Sequence, residues 1–314
     1  MARCLITGIT GFVGSHLAEY YLLHKPEYEV CGLVRNRSSL ENIDGIKDRV
    51  KLLVGDLTDA HSVDSVIQTV KPDVIHHLAA QSFVPVSWSQ PIETFHSNII
   101  GSLNLFEAVR NFNKDCSVQV ASTSEIYGGS YQIITEETLP EPSSPYGVSK
   151  LAMDRLACHY AKAYGLKIVV TRAFNHTGPR RHANFVTSSF AKQIASLKDG
   201  GVIKVGNLTA KRDWTDVRDI VNAYAMTIDR CDPGVPYNIS RGESFHVQYV
   251  LDKLIEISGK KIEVEKDWTR MRPSDIQNLL GVSDKFRRKT GWTHFIPFEK
   301  TLEDLYHYWE EKLG

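Results

Sequence analysis

The chain has 314 residues; 37 Lys and Arg balance 37 Asp and Glu, and 42% of its residues are apolar. That length holds one large or two small cores, and the neutral balance excludes the broad cationic face that a nucleic-acid surface needs. Cys4, Cys31, Cys116, Cys158 and Cys231 form no CxxC pair, and no apolar run approaches a membrane span, so neither a disulfide framework, a metal site nor a membrane anchor is expected.

Met1 to Arg3 lead straight into an apolar pattern with no signal peptide, and with the scattered cysteines this makes a cytoplasmic setting the expectation. Arg3 to Thr7 reads as a buried strand. Gly8, Gly11 and Gly14 follow at once, with Phe12 and Val13 between the last two, and a helical pattern runs on through Leu17, Tyr20 and Leu23. Strand, glycine turn and helix is the context of a dinucleotide-binding loop, in which glycines allow close backbone approach and the helix N-terminus holds a pyrophosphate. Glu29 to Val34 is a second strand. Its end is basic where a site selective for NAD would carry an acid. Arg35, Arg37 and Ser38 can hold a 2′-phosphate, which favours NADP; the alternative is a solvated basic loop. Val50 to Val54 is a third strand. Asp56, with Leu57 beside it, either meets the adenine or serves as a turn residue before the Asp59 to Val70 helix. Asp73 to Ala79 is a fourth strand in which His76 and His77 face opposite ways, as core histidines do rather than a chelating pair. Leu78, Ala79 and Ala80 close this strand where a cofactor ribose would approach, and Ser82 lies within reach of a substrate.

Glu93 to Asn111 reads as a long helix with Phe95, Ile99, Leu103, Phe106 and Val109 on its apolar side, and Gly101 permits close packing. Ser117 to Ala121 is a fifth strand that runs into Ser122-Thr123-Ser124-Glu125. Ser144 caps a helix that begins with Pro145 and stops at Gly165; it carries Tyr146 and Lys150 on one face, one turn apart. A lysine ammonium beside a phenol favours the phenolate, which would make Tyr146 a general acid/base. The alternative is an amphipathic helix with an exposed lysine. Packed side by side, this helix and the Glu93 helix form either a dimer face or a contact within one chain. Lys167 to Arg172 is a sixth strand. Thr187 to Lys198, Asp216 to Ile228, Val247 to Ser258 and Phe298 to Leu313 read as helices, Val202 to Val205 as a strand, and Tyr237 to Ile239 as a strand returning to the first sheet. Strands alternating with helices predict an α/β fold with a doubly wound parallel sheet. The expected division is residues 1–174 with 215–240 returning, against an interleaved, smaller α/β substrate lobe within 175–314.

The glycine loop, Thr123 to Glu125, and Tyr146 with Lys150 resemble, in order, the extended short-chain dehydrogenase/reductases with a Rossmann fold, in their nucleotide-sugar branch. The basic loop Arg35 to Ser39, Phe174-Asn175-His176, Pro179-Arg180-Arg181, Ala183 to Thr187, Lys211-Arg212-Asp213-Trp214 and Arg272-Pro273 look most like the GDP-mannose 4,6-dehydratases. The 4-keto-6-deoxy-mannose reductases resemble the chain closely too. The resemblance implies that Tyr146 takes the proton of the C4 hydroxyl, that Thr123 bonds the C4 oxygen, that Lys150 binds the nicotinamide ribose, and that Glu125 removes the C5 proton and assists loss of the C6 hydroxyl. It implies NADP, a GDP-linked sugar, and substrate contacts at Asn175, Arg212 and Arg272, with Asn184, Val186 and Lys192 near the nucleotide. It implies a homodimer or homotetramer, in whose tetrameric form Arg180 and Arg181 match a segment reaching into a neighbouring subunit's cofactor site. Ser124 stands where dTDP-glucose dehydratases carry an aspartate, which leaves Glu125 to act alone or through water.

Overall fold

The computed structural model describes residues 1–129, 133–270 and 276–314. The chain opens with β1 (Ala2–Thr7), α1 (Phe12–His24), β2 (Tyr28–Val34), β3 (Lys51–Val54), α2 (Ala60–Val70) and β4 (Val74–His77). Two short helices, α3 (Val84–Ser89) and α4 (Pro91–Phe95), lead through a π turn at His96–Ile100 into α5 (Gly101–Phe112); β5 (Ser117–Ala121), α6 (Pro145–Tyr164) and β6 (Lys167–Ala173) follow. The remainder holds β7 (Asn175–Thr177), α7 (Val186–Ser196), β8 (Gly201–Val205), β9 (Lys211–Asp216), α8 (Val217–Arg230), β10 (Pro236–Ile239), β11 (Ser244–His246), α9 (Val247–Ser258), β12 (Ile262–Lys266), β13 (Asn278–Leu279), α10 (Asp284–Thr290) and α11 (Phe298–Leu313).

Seven parallel strands form one sheet in the order β10-β6-β5-β4-β1-β2-β3. Both faces are covered. Val63, Ile67, Leu105, Phe106, Met153 and Ala157 from α2, α5 and α6 pack on one; Leu17, Tyr21, Val217, Ile220 and Tyr224 from α1 and α8 pack on the other. This double burial is why β1 and β6 carry apolar residues on both faces rather than alternating with polar ones. Strand order reverses between β1 and β4, which opens a crevice at the carboxyl ends of the strands. The second lobe centres on β9, paired in parallel with β7 and β13 and antiparallel with β11, while β8 and β12 pair apart from it. Its own core, with Phe190, Leu251, Leu254, Phe298, Leu302 and Trp309, joins α7, α9 and α11. Among the described residues no helix is long and apolar enough to cross a membrane, and no group of three or more His, Cys, Asp or Glu is placed to hold a metal ion.

Local chemistry sets the ends of the elements that carry the site. The Ser144 hydroxyl accepts the Gly147 N–H at 3.0 Å, Pro145 occupies the first turn, and Gly165 ends α6 at φ 70°. Such a cap is worth about 1 kcal/mol. The long helix after β4 differs from the apolar stripe read from sequence. In its first turns Ile92 and Ile100 are exposed, while Thr94, Asn98 and Ser102 are buried. The reason is a polar network under this segment. Asn98 Nδ2 donates to Gln81 O at 3.0 Å and to Ser149 Oγ at 2.9 Å, and Asn98 Oδ1 accepts the Gln81 N–H at 2.8 Å. Further along, a Cβ on Gly101 would stand 3.1 Å from the Leu57 Cβ, so the glycine does permit close helix packing.

His76 and His77 lie on opposite faces of β4 and are core residues. His76 bonds Tyr21 Oη at 2.8 Å and Gln119 Oε1 at 2.9 Å; His77 bonds Thr7 Oγ1 and Ser102 Oγ, both at 2.9 Å. Ser102 donates its hydroxyl proton to Asn98 O, so His77 Nε2 is the donor to Ser102 and Nδ1 accepts from Thr7. Burial pushes His76 down to about 4 and His77 to about 3. As pH falls below the ordinary histidine value, the unfolded chain binds protons that the fold refuses, so stability is lost from about pH 6.5 downwards to these pKa values. Asp213, whose buried carboxyl is pushed up to about 7, acts in the opposite sense between its ordinary value and that one. Thermal denaturation should show the melting temperature falling on acidification, and His76→Gln should flatten that limb. An unaltered acid limb in the variant contradicts this assignment.

Candidate active site

Every loop at the carboxyl ends of β1 to β6 contributes to one cleft of about 540 Å³. After β1, Gly8 turns with φ 74°, and the Gly11 N–H bonds Gly8 O at 2.9 Å. A Cβ on Gly14 would stand 2.2 Å from Gly8 O, and one on Gly8 would stand 2.9 Å from the Ala79 nitrogen, so side chains are excluded where the backbone must come close. Phe12 and Val13 complete this wall, and Leu78, Ala79, Ala80 and Ser82 line the floor after β4. After β2, Arg35 and Ser38 face the cleft, and the Arg35 N–H bonds Ser38 Oγ at 3.1 Å. After β3, Asp56 and Leu57 line it. Asp56 Oδ1 accepts both the amide and the hydroxyl of Thr58, at 2.9 and 2.8 Å, which holds its carboxyl below the usual range. It is therefore a turn residue and a lining residue at once.

Ser122, Thr123, Ser124 and Glu125 follow β5 and meet Tyr146 and Lys150 from α6 in the same cleft. The Thr123 hydroxyl accepts the Glu125 N–H at 3.2 Å and favours the ionised form of the Tyr146 phenol. Lys150 Nζ donates to Ala121 O at 2.5 Å and approaches Met153 Sδ at 3.6 Å. This departs from the electrostatics read from sequence. Burial, helped by the Glu125 charge, pushes Tyr146 up to about 12, against the Thr123 bond and the Arg181 charge. Burial lowers Lys150 to about 8, against Asp154.

A second cleft, of about 470 Å³, adjoins the first and shares Phe83, Val84, Glu125, Asn175, His176, Arg181 and Phe185 with it. Asn184, Val186 and Arg212 line this second cleft, and Arg212 Nη1 donates to Lys211 O at 2.8 Å and Ile276 O at 2.5 Å. Ser82 faces the first cleft rather than the second. Two residues stand outside both linings. The Lys192 ammonium lies over the Trp309 ring at 5.1 Å, on the α11 side of α7, because the helix turns it away from Val186. Arg37 is exposed beyond Ser38, although its charge still reaches Asp56. Arg272 lies outside the described residues. Within this chain both arginines have partners. Arg180 pairs with Glu19 at 2.5 Å and donates to His16 Nδ1 at 2.8 Å and Asn42 O at 3.1 Å; Arg181 lies over Phe12 and Phe185.

Three groups were not singled out from the sequence. Phe83 and Phe185 meet edge to face at 5.6 Å where the clefts join, and Asn98 holds the Gln81 backbone and the Ser149 hydroxyl. Phe185 sits inside the quoted stretch Ala183 to Thr187, but an aromatic in a loop carries no signal of its own. Asn98 was hidden by the apolar pattern around it. The cleft fits a dinucleotide: its glycines form a cradle that a Cβ would fill, and the buried Ser122 Oγ and Asn175 Oδ1 have no hydrogen-bond partner among the described residues.

The comparisons with known proteins agree with this chemistry. Residues 5–305 match the family GDP-mannose 4,6 dehydratase. The human GDP-mannose 4,6 dehydratase is 34% identical, over 96% of this chain and 90% of its own length. The GDP-6-deoxy-D-mannose reductase of Pseudomonas aeruginosa is 29% identical, over 99% and 98%. The solved structure of RMD from Pseudomonas aeruginosa complexed with NADPH superposes with a TM-score of 0.87 at 28% identity, over 99% of this chain and 100% of that one. A glycine-lined pyridine-nucleotide cleft, a Tyr146–Lys150 helix and a match across nearly the whole chain together place it in the GDP-mannose 4,6 dehydratase family.

Proposed function

We propose that the chain is an NADP-dependent GDP-mannose 4,6-dehydratase that forms GDP-4-keto-6-deoxy-mannose. The observation that carries this reading is the position of Glu125. It lines both clefts beside Tyr146, so two acid/base groups face one bound sugar. A dehydration needs both; the reductases resembled by the chain carry an acid here too, so the water and NADPH balance separates the two readings. Tyr146 takes the C4 hydroxyl proton, and the Thr123 hydroxyl steadies the oxygens of that exchange. Glu125 removes the C5 proton, made acidic by the new 4-ketone, and returns a proton to the C6 hydroxyl as it leaves as water. When bound, the nucleotide supplies the acceptor for the C4 hydride and the donor to C6, so it is regenerated. Lys150 orients the nicotinamide ribose. Arg35 and Ser38 favour a 2′-phosphate, with Arg37 free to close on it. Asn175, Asn184, Val186 and Arg212 address the GDP-sugar, and Arg272 is assigned to the diphosphate from the sequence resemblance.

Exposed Ile92, Phe112, Val148 and Tyr164 on α4, α5 and α6, with Ile100 in the π turn between α4 and α5, support a homodimer or a tetramer built from it. A cytoplasmic setting accords with five free cysteines.

Incubation with GDP-mannose and catalytic NADP tests the reaction. Loss of one water with no net NADPH consumption is expected. A second reading, NADPH-dependent reduction of GDP-4-keto-6-deoxy-mannose, is favoured by the likeness to the reductase over almost the entire chain. Turnover of that keto sugar alone, with stoichiometric NADPH, would establish it instead.

A further inference from the structure

The second cleft runs between two unlike walls. Arg212 and Arg270 come from the second lobe and give that side guanidiniums that suit a diphosphate. The other wall is built from α3 and the head of α6. Val84, Pro85 and Trp88 line it with Ser143 and Ser144, and it begins at Glu125, where the clefts join. Val84 lines both clefts, and Trp88, four residues on along the same helix face, lines the second alone. Trp88 is 50% exposed, and among the described residues its indole N–H has no acceptor and its ring no aromatic or cationic partner. Trp214, in the same cleft, is by contrast buried and stacks on Phe298 at 5.6 Å; the exposed Trp268 lies under the Lys266 ammonium at 4.3 Å, outside both linings. Nor does Trp88 serve to fix its own segment. The Phe83 N–H bonds Gln81 Oε1 at 2.6 Å, the Ser87 hydroxyl donates to Val84 O at 2.7 Å, and the Gln90 N–H bonds Val86 O at 2.8 Å, so the backbone under the indole is set without it.

We propose that Trp88 is a specificity-determining residue whose indole receives the C–H face of the substrate's hexose, with the diphosphate lying towards Arg212. The inference rests on the reading that this cleft takes a nucleotide sugar. The reacting sugar must stand within reach of Glu125 and Tyr146, at the junction that Val84 lines. Trp88 is one helical turn from Val84, a step of about 5.4 Å, which is the width of a pyranose rather than the length of a nucleotide. The base stands off from the sugar by the whole diphosphate, so it lies beyond the range of that turn. A pyranose also has the divided character of this wall. Its C–H bonds gather on one face, to meet an aromatic ring, and its hydroxyls lie around the edge, towards Ser143 and Ser144. Tryptophan suits such a place, because it offers a large rigid apolar face and a polar N–H at little entropic cost. A platform on a backbone already fixed adds affinity without a further cost of ordering.

Titration calorimetry on the protein with reduced pyridine nucleotide bound tests this, because no acceptor for the C4 hydride is then present and GDP-mannose binds without turnover. The Kd of GDP-mannose is compared with that of GDP, so the ratio isolates what the hexose adds. Trp88→Ala should weaken GDP-mannose by about 3- to 10-fold and leave GDP unchanged. Trp88→Phe, which keeps a ring on the wall, should recover most of the loss. GDP and GDP-mannose weakened alike, a ratio unmoved by Trp88→Ala, or a Phe variant no better than Ala each overturns the proposal. UDP-glucose and UDP are run beside them. A wild-type protein that binds only the UDP pair overturns the proposed substrate, and the same ratio on that pair then decides the role of Trp88. Binding of neither sugar nucleotide overturns both.

Discussion

Replacing Glu125 by glutamine is expected to lower turnover by about 10²–10⁴-fold, the usual worth of a positioned acid/base, with nucleotide binding unchanged. The substitution is isosteric, and the turn that carries the side chain is held by groups it does not touch. Thr123 caps that turn through the Glu125 N–H. A Cβ on Gly147 would stand 2.9 Å from the Glu125 carbonyl, so α6 packs directly on the turn from one side. Gly128 closes it at φ 67°, with Glu141 O only 2.0 Å from where a Cβ would lie. The backbone should therefore keep its place, and only the proton-transfer capacity is lost. Hydride removal from C4 depends on Tyr146, which loses an opposing charge in this variant. In a single turnover the absorbance of reduced nucleotide should build up rather than stay flat, and solvent deuterium should no longer enter the sugar at C5. Normal turnover with deuterium still incorporated would remove Glu125 from the mechanism.

The parts of this arrangement that are legible in the sequence are those written in local chemistry. Ser144, Pro145 and Gly165 mark both ends of α6, and Gly8 and Gly14 announce a close backbone approach that the structure makes explicit. The period of apolar residues places most strands and helices within a few residues. The misses come where a tertiary contact overrides a local rule. Asn98 and Ser102 are buried in a helical segment whose nearby Ile92 and Ile100 face outward, because the Gln81 backbone and the buried Ser149 hydroxyl need polar partners there. The resemblance makes Lys192 a substrate ligand, but its place on α7 sends it to Trp309. Tyr146 and Lys150 share a helix face, as spacing requires, yet spacing is blind to burial. Desolvation governs both groups.

The second large effect concerns stability. Arg172→Met is expected to cost about 3–5 kcal/mol, because it leaves a buried carboxylate without its counter-charge. Asp154 and Arg172 are 0% and 1% exposed, and they form a two-pronged pair with both N···O distances at 2.9 Å. The remaining guanidinium nitrogen donates to Tyr127 Oη at 2.8 Å, which passes its own proton to Asn238 Oδ1 at 2.8 Å; the Asn238 N–H then bonds Glu136 at 2.8 Å. This network joins α6, β6, β10 and the turn of Glu125 in one buried unit. Asp154 lies one helical turn beyond Lys150, and Tyr127 lies two residues beyond Glu125, so the same loss should reach the site. At about 2–4 °C per kcal/mol for a chain of this order, the melting temperature should fall by roughly 6–20 °C. Arg172→Lys should recover little, since an ammonium cannot reproduce the fork. Asp154→Leu combined with Arg172→Met should be less damaging than Arg172→Met alone, because no unpaired charge remains inside. Well below melting, Arg172→Met should lower kcat more than it raises KM, as expected if Glu125 and Lys150 lose their mutual register while the nucleotide cradle stays whole. A melting temperature unmoved by Arg172→Met, or a double variant worse than the single, would show that the pair is not the clamp its geometry implies.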